Sequence, residues 1–220
     1  MSAVYGIGFL MLITVPMLVR AEFRKNRRQR YILKPLSSSL LVLIILIALL
    51  MDAGNRPYKT AILLGLIFCF GGDMALMFES KKAFLVGLVL FLIGHVVYAA
   101  TLVIYNGFLF KGFLVTGIIA LISLLVFAYL QSGLGSMKIP VIFYMVVISF
   151  MLNSAVLTFA GDTFNPTQAW LLSTGAALFY ISDVILAINR FKKPFAYNRI
   201  NLLFYYAGQY GIALSTVYFI

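Results

Sequence analysis

Two aspartates and a histidine stand where hydrocarbon is expected. Asp73 lies in "GLIFCFGGDMALMF", Asp183 in "GAALFYISDVILAI", and His95, the only histidine of the chain, in "FLVGLVLFLIGHVVYA". A carboxylate at the centre of a membrane helix costs about 3 kcal/mol or more. A hydrogen bond between membrane helices returns only about 0.6 kcal/mol on average. Holding the bundle together is therefore a weak reason to bury either aspartate, and ionisable groups at this depth are functional candidates by default. A pair of such carboxyl groups suits acid–base catalysis or the binding of protons in a transporter.

Other polar residues in the apolar runs fall into register with this pair. Tyr98 lies one helical turn from His95 on the same face, and Tyr206 and Gln209 repeat that spacing further along the chain. His95 also has a plain reading as a satisfied polar residue between helices. With one histidine and one cysteine, Cys69, a three-histidine or Cys/His zinc site is not available. No spacing offers a metal motif, so neither a metal nor another cofactor is expected. No G-x-S-x-G elbow, P-loop or dinucleotide fingerprint occurs. Cys69 is expected to be a small packing residue. The basic run "RAEFRKNRRQRYILK" reads first as a topology anchor drawn to anionic lipid. Its functional reading is a phosphate-binding rim, for which Lys34 is the best candidate because Pro35 marks a helix start. Asn189 and Arg190, at the end of the segment carrying Asp183, are further candidates for substrate binding.

These residues need membrane helices to position them. Of 220 residues, 63% are hydrophobic and only 10% are charged, and the mean hydropathy is +1.05. One water-soluble core cannot hide that much apolar surface. The apolar runs are continuous rather than alternating, which excludes a β-barrel. The expectation is an all-α polytopic bundle, a single transmembrane domain over 1–220, with about eight spans near 3–20, 36–51, 60–78, 83–105, 112–130, 139–160, 168–189 and 200–218. The positive charges near the first span follow it, which argues for a retained helix rather than a cleaved signal peptide. The net charge of +11 is read as topological, with no nucleic-acid partner. Loops one, three, five and seven hold 14 of the 17 Lys and Arg residues. The positive-inside rule therefore turns the odd loops to the cytoplasm and both termini away from it. Asp73 then lies about 10 Å from the cytoplasmic end of its span, at ~1.5 Å per residue, with Asp183 at a similar depth and neither paired by a nearby charge.

A faint internal repeat supports treating the aspartates together. Gly65 and Gly175 each precede an aspartate by eight residues, with Gly72 or Ser182 directly before it and Phe70 or Tyr180 three before it. Paired lysines follow each, then Phe84 or Phe195, and 11 and 14 residues beyond these come His95 with Tyr98 and Tyr206 with Gln209. Spans 1–4 and 5–8 are thus candidate parallel repeats, a pattern also found in transporters. The small residues eight positions before and directly before each aspartate share a helical stripe that permits close helix contact, so both side chains are expected to face the bundle interior.

The same pieces carry a family resemblance. Lys34-Pro35, "GGDMALMF", "FLVGLVLFLIGHVVYA", "ALFYISDVILAINRF" and "FYYAGQYGIA", in this order and spacing, are similar to the YhhN family, whose animal members are the transmembrane 86 lysoplasmalogenases. The resemblance implies a small membrane protein of about eight helices, here a bacterial inner-membrane one. It also implies a hydrolase that cleaves the vinyl ether bond of lysoplasmalogens to a fatty aldehyde and a glycerophospho-ethanolamine or -choline. Its partners are then a lysophospholipid substrate and membrane lipids, with no obligatory protein partner. Vinyl ethers open through protonation of the β-carbon to an oxocarbenium ion, a problem related to the one that glycosidases solve with two carboxyl groups. Burial raises a carboxyl pKa, and two neighbouring carboxyls push their values apart. On this reading Asp73 and Asp183 share the roles of acid and stabiliser or base. His95, Tyr98, Tyr206 and Gln209 orient water, ether oxygen or carboxylates, and Lys34 and Arg190 hold the phosphate. The alternative is a proton-coupled small-solute or lipid transporter using the same aspartates.

Overall fold

The protein, seen in a computed structural model, is described here for residues 2–51, 54–107 and 112–218. Among the described residues all regular structure is helical. The eight helices are α1 (Ser2–Phe23), α2 (Arg27–Leu50), α3 (Arg56–Ala75), α4 (Lys81–Asn106), α5 (Phe113–Leu130), α6 (Lys138–Val156), α7 (Pro166–Phe191) and α8 (Asn201–Ser215), joined in part by short 3₁₀ turns. Seven are long and apolar enough to cross a membrane. Of the expected breaks, those at 52–59 and 105–112 fall partly outside the described residues.

The helix starts are written in local chemistry. Asn26, Asn55, Ser80 and Asn165 each accept a hydrogen bond from a backbone N–H three residues on, satisfying a donor that the first turn leaves free. Pro166 follows Asn165 at the first position of α7, and Gln168 closes a capping box with it. The cap at Asn26 corrects one expectation. Helix α2 begins nine residues before the predicted 36, so Pro35 is an interior residue of α2 rather than its start. The first turns lie in the basic loop-one run, whose charge masks the helical pattern.

Helix α8 differs from a membrane span of ordinary length. Its 15 residues cover ~22 Å, and 11 of them are buried. It packs against α7, α2, α1 and α3, and so forms an inner column of the bundle. Helix α5 is the opposite extreme: only Ile119 and Leu130 are buried, and its remaining apolar surface is left for lipid.

Two helix pairs approach especially closely, α3 with α4 and α7 with α8. A Cβ on Gly94 would meet Cys69 Sγ at 2.6 Å and the Gly65 carbonyl at 3.0 Å. A Cβ on Gly208 would meet the Gly175 carbonyl at 2.6 Å. Glycine lets the backbones touch, which is how helices without a hydrophobic driving force gain packing in lipid. The packing order also repeats between the halves. Pairs α1–α2, α2–α3 and α3–α4 recur as α5–α6, α6–α7 and α7–α8, and α4 meets α6 as α8 meets α2.

Candidate active site

A cleft of about 300 Å³ opens at the end of the bundle that carries loops one, three and seven. Asp73 and Asp183 both line it, together with Lys34, Asn189 and Arg190. Five of the nine residues picked out from the sequence therefore converge on one space. Asp73 is two residues from the end of α3 and Asp183 eight from the end of α7, about 3 and 12 Å. Helix α3 ends where Met77 and Phe78 turn to the carbonyls three residues back, Met74 and Ala75, after a last helical bond from Leu76 to Gly72.

Asp73 is not unpaired, contrary to expectation. Its Oδ1 faces the Lys34 ammonium at 3.5 Å, and its Oδ2 accepts hydrogen bonds from Ser38 Oγ at 2.7 Å and Tyr205 Oη at 2.7 Å. Lys34 and Ser38 are one turn apart on α2, so a single helix face delivers the cation and a hydroxyl. Tyr206 stands behind them, 3.1 Å from Ser38 Oγ and donating to the Lys34 carbonyl at 3.3 Å. Lys34, only 4% exposed, spends its charge on Asp73.

Asp183 has other company. Tyr144 on α6 donates a hydrogen bond to its Oδ2, and no cation pairs with it among the described residues. On one side it faces the polar cleft. On the other it borders a narrow apolar slot between α4, α5, α6 and α7, lined by Phe84, Leu88, Leu130, Val141, Tyr144 and Ile148 among others. Leu76, Phe84, Phe91, Asp183 and Leu186 line both spaces, so cleft and slot adjoin along these residues, of which Asp183 alone is polar.

The mouth of the cleft is charged. Arg30 pairs with Glu79 at 3.2 Å and donates to the Met77 carbonyl at 2.9 Å, and Arg199 pairs with Glu22 at 3.6 Å. Arg190 makes no ion pair among the described residues. Its guanidinium lies over the Phe84 ring, 4.7 Å from the centroid, a cation–π contact.

His95, Tyr98 and Gln209 do not line the cleft. Tyr98 donates to Gln209 Oε1 at 2.9 Å in the interior. His95 is fully buried between the rings of Tyr144 and Phe179, with centroids 5.4 and 4.5 Å away. Neither of its nitrogens makes a well-aligned hydrogen bond, although the Phe91 carbonyl one turn back lies beside the ring. Sequence reasoning missed Ser38, Tyr144 and Tyr205. Ser38 carried a usable signal, one turn from Lys34. Tyr144, in "PVIFYMVV", carried none. No group of three or more His, Cys, Asp or Glu side chains among the described residues could hold a metal ion.

Fold and site define a polytopic helical membrane protein with two carboxyl groups in a charged cleft, one of which, Asp183, also borders an apolar slot. The sequence signature of the YhhN family matches residues 29–216, and the chain belongs to that family. It is 32% identical over 74% of its length to the Bos taurus protein named Lysoplasmalogenase TMEM86A, covering 68% of that protein. It is 31% identical over 74% of its length to the Homo sapiens protein of the same name, covering 67% of it. No solved structure matches the chain.

Proposed function

We propose that this protein hydrolyses the vinyl ether bond of lysoplasmalogens, as the names of its relatives suggest, with Asp183 as the proton donor and Asp73 as the partner carboxylate. The observation that carries the reading is the meeting of polar cleft and apolar slot at Asp183, with Asp73 across the same cleft. A lysoplasmalogen has that division: a charged headgroup, one hydrocarbon chain, and the scissile bond between them. The headgroup occupies the cleft, the alkenyl chain enters the slot, and the vinyl ether lies between the carboxyls.

The chemistry then runs in two stages. Asp183 gives its proton to the β-carbon of the vinyl ether, and the double bond becomes an oxocarbenium ion. Asp73, a carboxylate beside the Lys34 ammonium, stabilises the cation and orients water. Water adds to the α-carbon and loses a proton to a carboxylate of the pair, leaving a hemiacetal. The hemiacetal hydroxyl proton is taken up as the ether oxygen is protonated and leaves as the glycerol hydroxyl, giving the aldehyde. One water is consumed and Asp183 ends protonated. Tyr144 fixes Asp183, and His95, packed on the Tyr144 ring, positions that tyrosine. The basic odd loops face the cytoplasm on this reading, so the cleft opens there and both termini lie on the opposite side.

The test is incubation of the purified protein in detergent with lysoplasmalogen in heavy water and, separately, in ¹⁸O water. Immediate reduction of the product guards its labels. The reading predicts aldehyde with one deuterium at carbon 2 and the water oxygen on carbon 1, and no cleavage of an ester-linked lysophospholipid. A transporter, which needs a sealed compartment and a gradient, releases no product in detergent, and that result would end the assignment.

A further inference from the structure

We infer that the outer groove between α5 and α6 seats the far part of the substrate's hydrocarbon chain, which crosses into it from the slot beside Met145. The inference rests on the vinyl ether reading of the site. The slot beside Asp183 has a volume of about 60 Å³. At ~12 Å³ for each water-sized group it holds about five methylenes. A lipid chain is longer. Spanning half of a hydrocarbon core ~30 Å thick takes about twelve bonds at ~1.2 Å each. The rest of the chain therefore has to leave the slot, and the outer groove adjoins it.

The groove has a volume of about 520 Å³ and is walled by α5 from Thr116 to Phe127 and by α6 from Ile142 to Asn153. That length of helix is ~16 Å, room for about thirteen bonds. Met145 lines slot and groove alike, and its unbranched side chain yields readily. Beside it Tyr180, which lines the slot, brings its hydroxyl to Ser123 Oγ at 2.9 Å, and Ser123 meets Ser149 Oγ at 2.7 Å, both serines lining the groove. These hydroxyls are bonded to one another, so this stretch of the groove calls for no polar ligand and suits hydrocarbon. Leu124, Val146 and Phe150 on its walls are exposed, so a chain can settle into it sideways from the bilayer without threading through the bundle. At the far end Thr116 donates to Asn153 Oδ1 at 3.0 Å, which marks where the stretch suited to hydrocarbon stops.

The test crosses a groove residue with chain length. Turnover of two lysoplasmalogens is compared in detergent, one with a chain of about six carbons, which the slot nearly holds, and one of about eighteen, which needs slot and groove. Ala120 lines the groove near its middle, and Ala120→Phe sets a ring across it. The ratio of long-chain to short-chain kcat/KM should fall about tenfold or more below that of the wild type, the scale of an overpacked contact. Leu125→Phe, on the exposed face of α5 outside the groove, should keep the wild-type ratio. A second measurement on the wild type decides alone if Ala120→Phe turns over neither lipid. An uncleavable alkyl ether analogue of the long lipid, with a diazirine at the chain end, should label the groove walls, and excess lysoplasmalogen should suppress that labelling. An unchanged ratio in Ala120→Phe, or an equal fall in Leu125→Phe, overturns the inference. So does chain-end labelling outside the groove, or groove labelling that excess substrate does not suppress, which marks bulk lipid. Absence of aldehyde from both lipids with the wild type instead withdraws the vinyl ether reading, and this inference falls with it.

Discussion

The α3 wall and the α7 wall of the cleft each present one aspartate, and the two are kept in different company. Asp73 is buried, faced by an ammonium and two hydroxyl donors. Every one of these partners favours a carboxylate that only accepts. Asp183 is half-buried, has one tyrosine donor and borders an apolar slot. A proton on its other oxygen meets no competing cation. Two chemically identical residues, at equivalent places in a faint repeat, thus stand in different surroundings. In lipid the surroundings matter more than the residue type, because an isolated charge is so costly there.

Neutralising each aspartate in turn is the sharpest way to break this comparison. Asp183→Asn removes the proposed proton donor and should lower kcat by about 10²–10⁴-fold while leaving the melting temperature in detergent nearly unchanged. Asp73→Asn should lower activity and also strand the Lys34 ammonium in the interior, a penalty of about 3–5 kcal/mol visible as a marked drop in melting temperature. The double variant Asp73→Asn with Lys34→Met should regain much of that stability but not the activity, a coupling that a double-mutant cycle reads directly. Equal loss of stability from the two single aspartate variants would erase the distinction. Tyr144→Phe is the mildest change. It removes the donor to Asp183 and should cost about tenfold in turnover, the scale of one hydrogen bond, with Asp73 and its partners untouched.

What could be read in the sequence follows the same energetic logic. Asp73 and Asp183 stand out because a carboxyl group in an apolar run is rare and expensive, so the sequence advertises it. Hydroxyls are cheap in membrane helices, so Tyr144 and Tyr205 carry no warning in the chain, and Ser38 carries only its spacing of one turn from Lys34. The Lys34–Asp73 pair joins residues 39 apart, and only the packing of α2 on α3 brings them together. That packing sets Lys34, expected at the phosphate, beside Asp73 in the same cleft. The count of helices was legible from hydropathy. The start of α2 was not, because Pro35 looks like helix-start punctuation and the cap that does start the helix, Asn26, is hidden in a basic run. The interior placement of His95, Tyr98 and Gln209 was equally hidden, since one polar residue per turn marks a helix face without saying whether that face meets a cavity or another helix.

Infrared difference spectroscopy of the purified protein near neutral pH tests the central claim most directly, because the carbonyl stretch of a protonated carboxyl group is separate from that of a carboxylate. The account predicts one protonated-carboxyl band in the wild type that disappears in Asp183→Asn and persists in Asp73→Asn. A band that persists without Asp183, or disappears with Asp73, would contradict it.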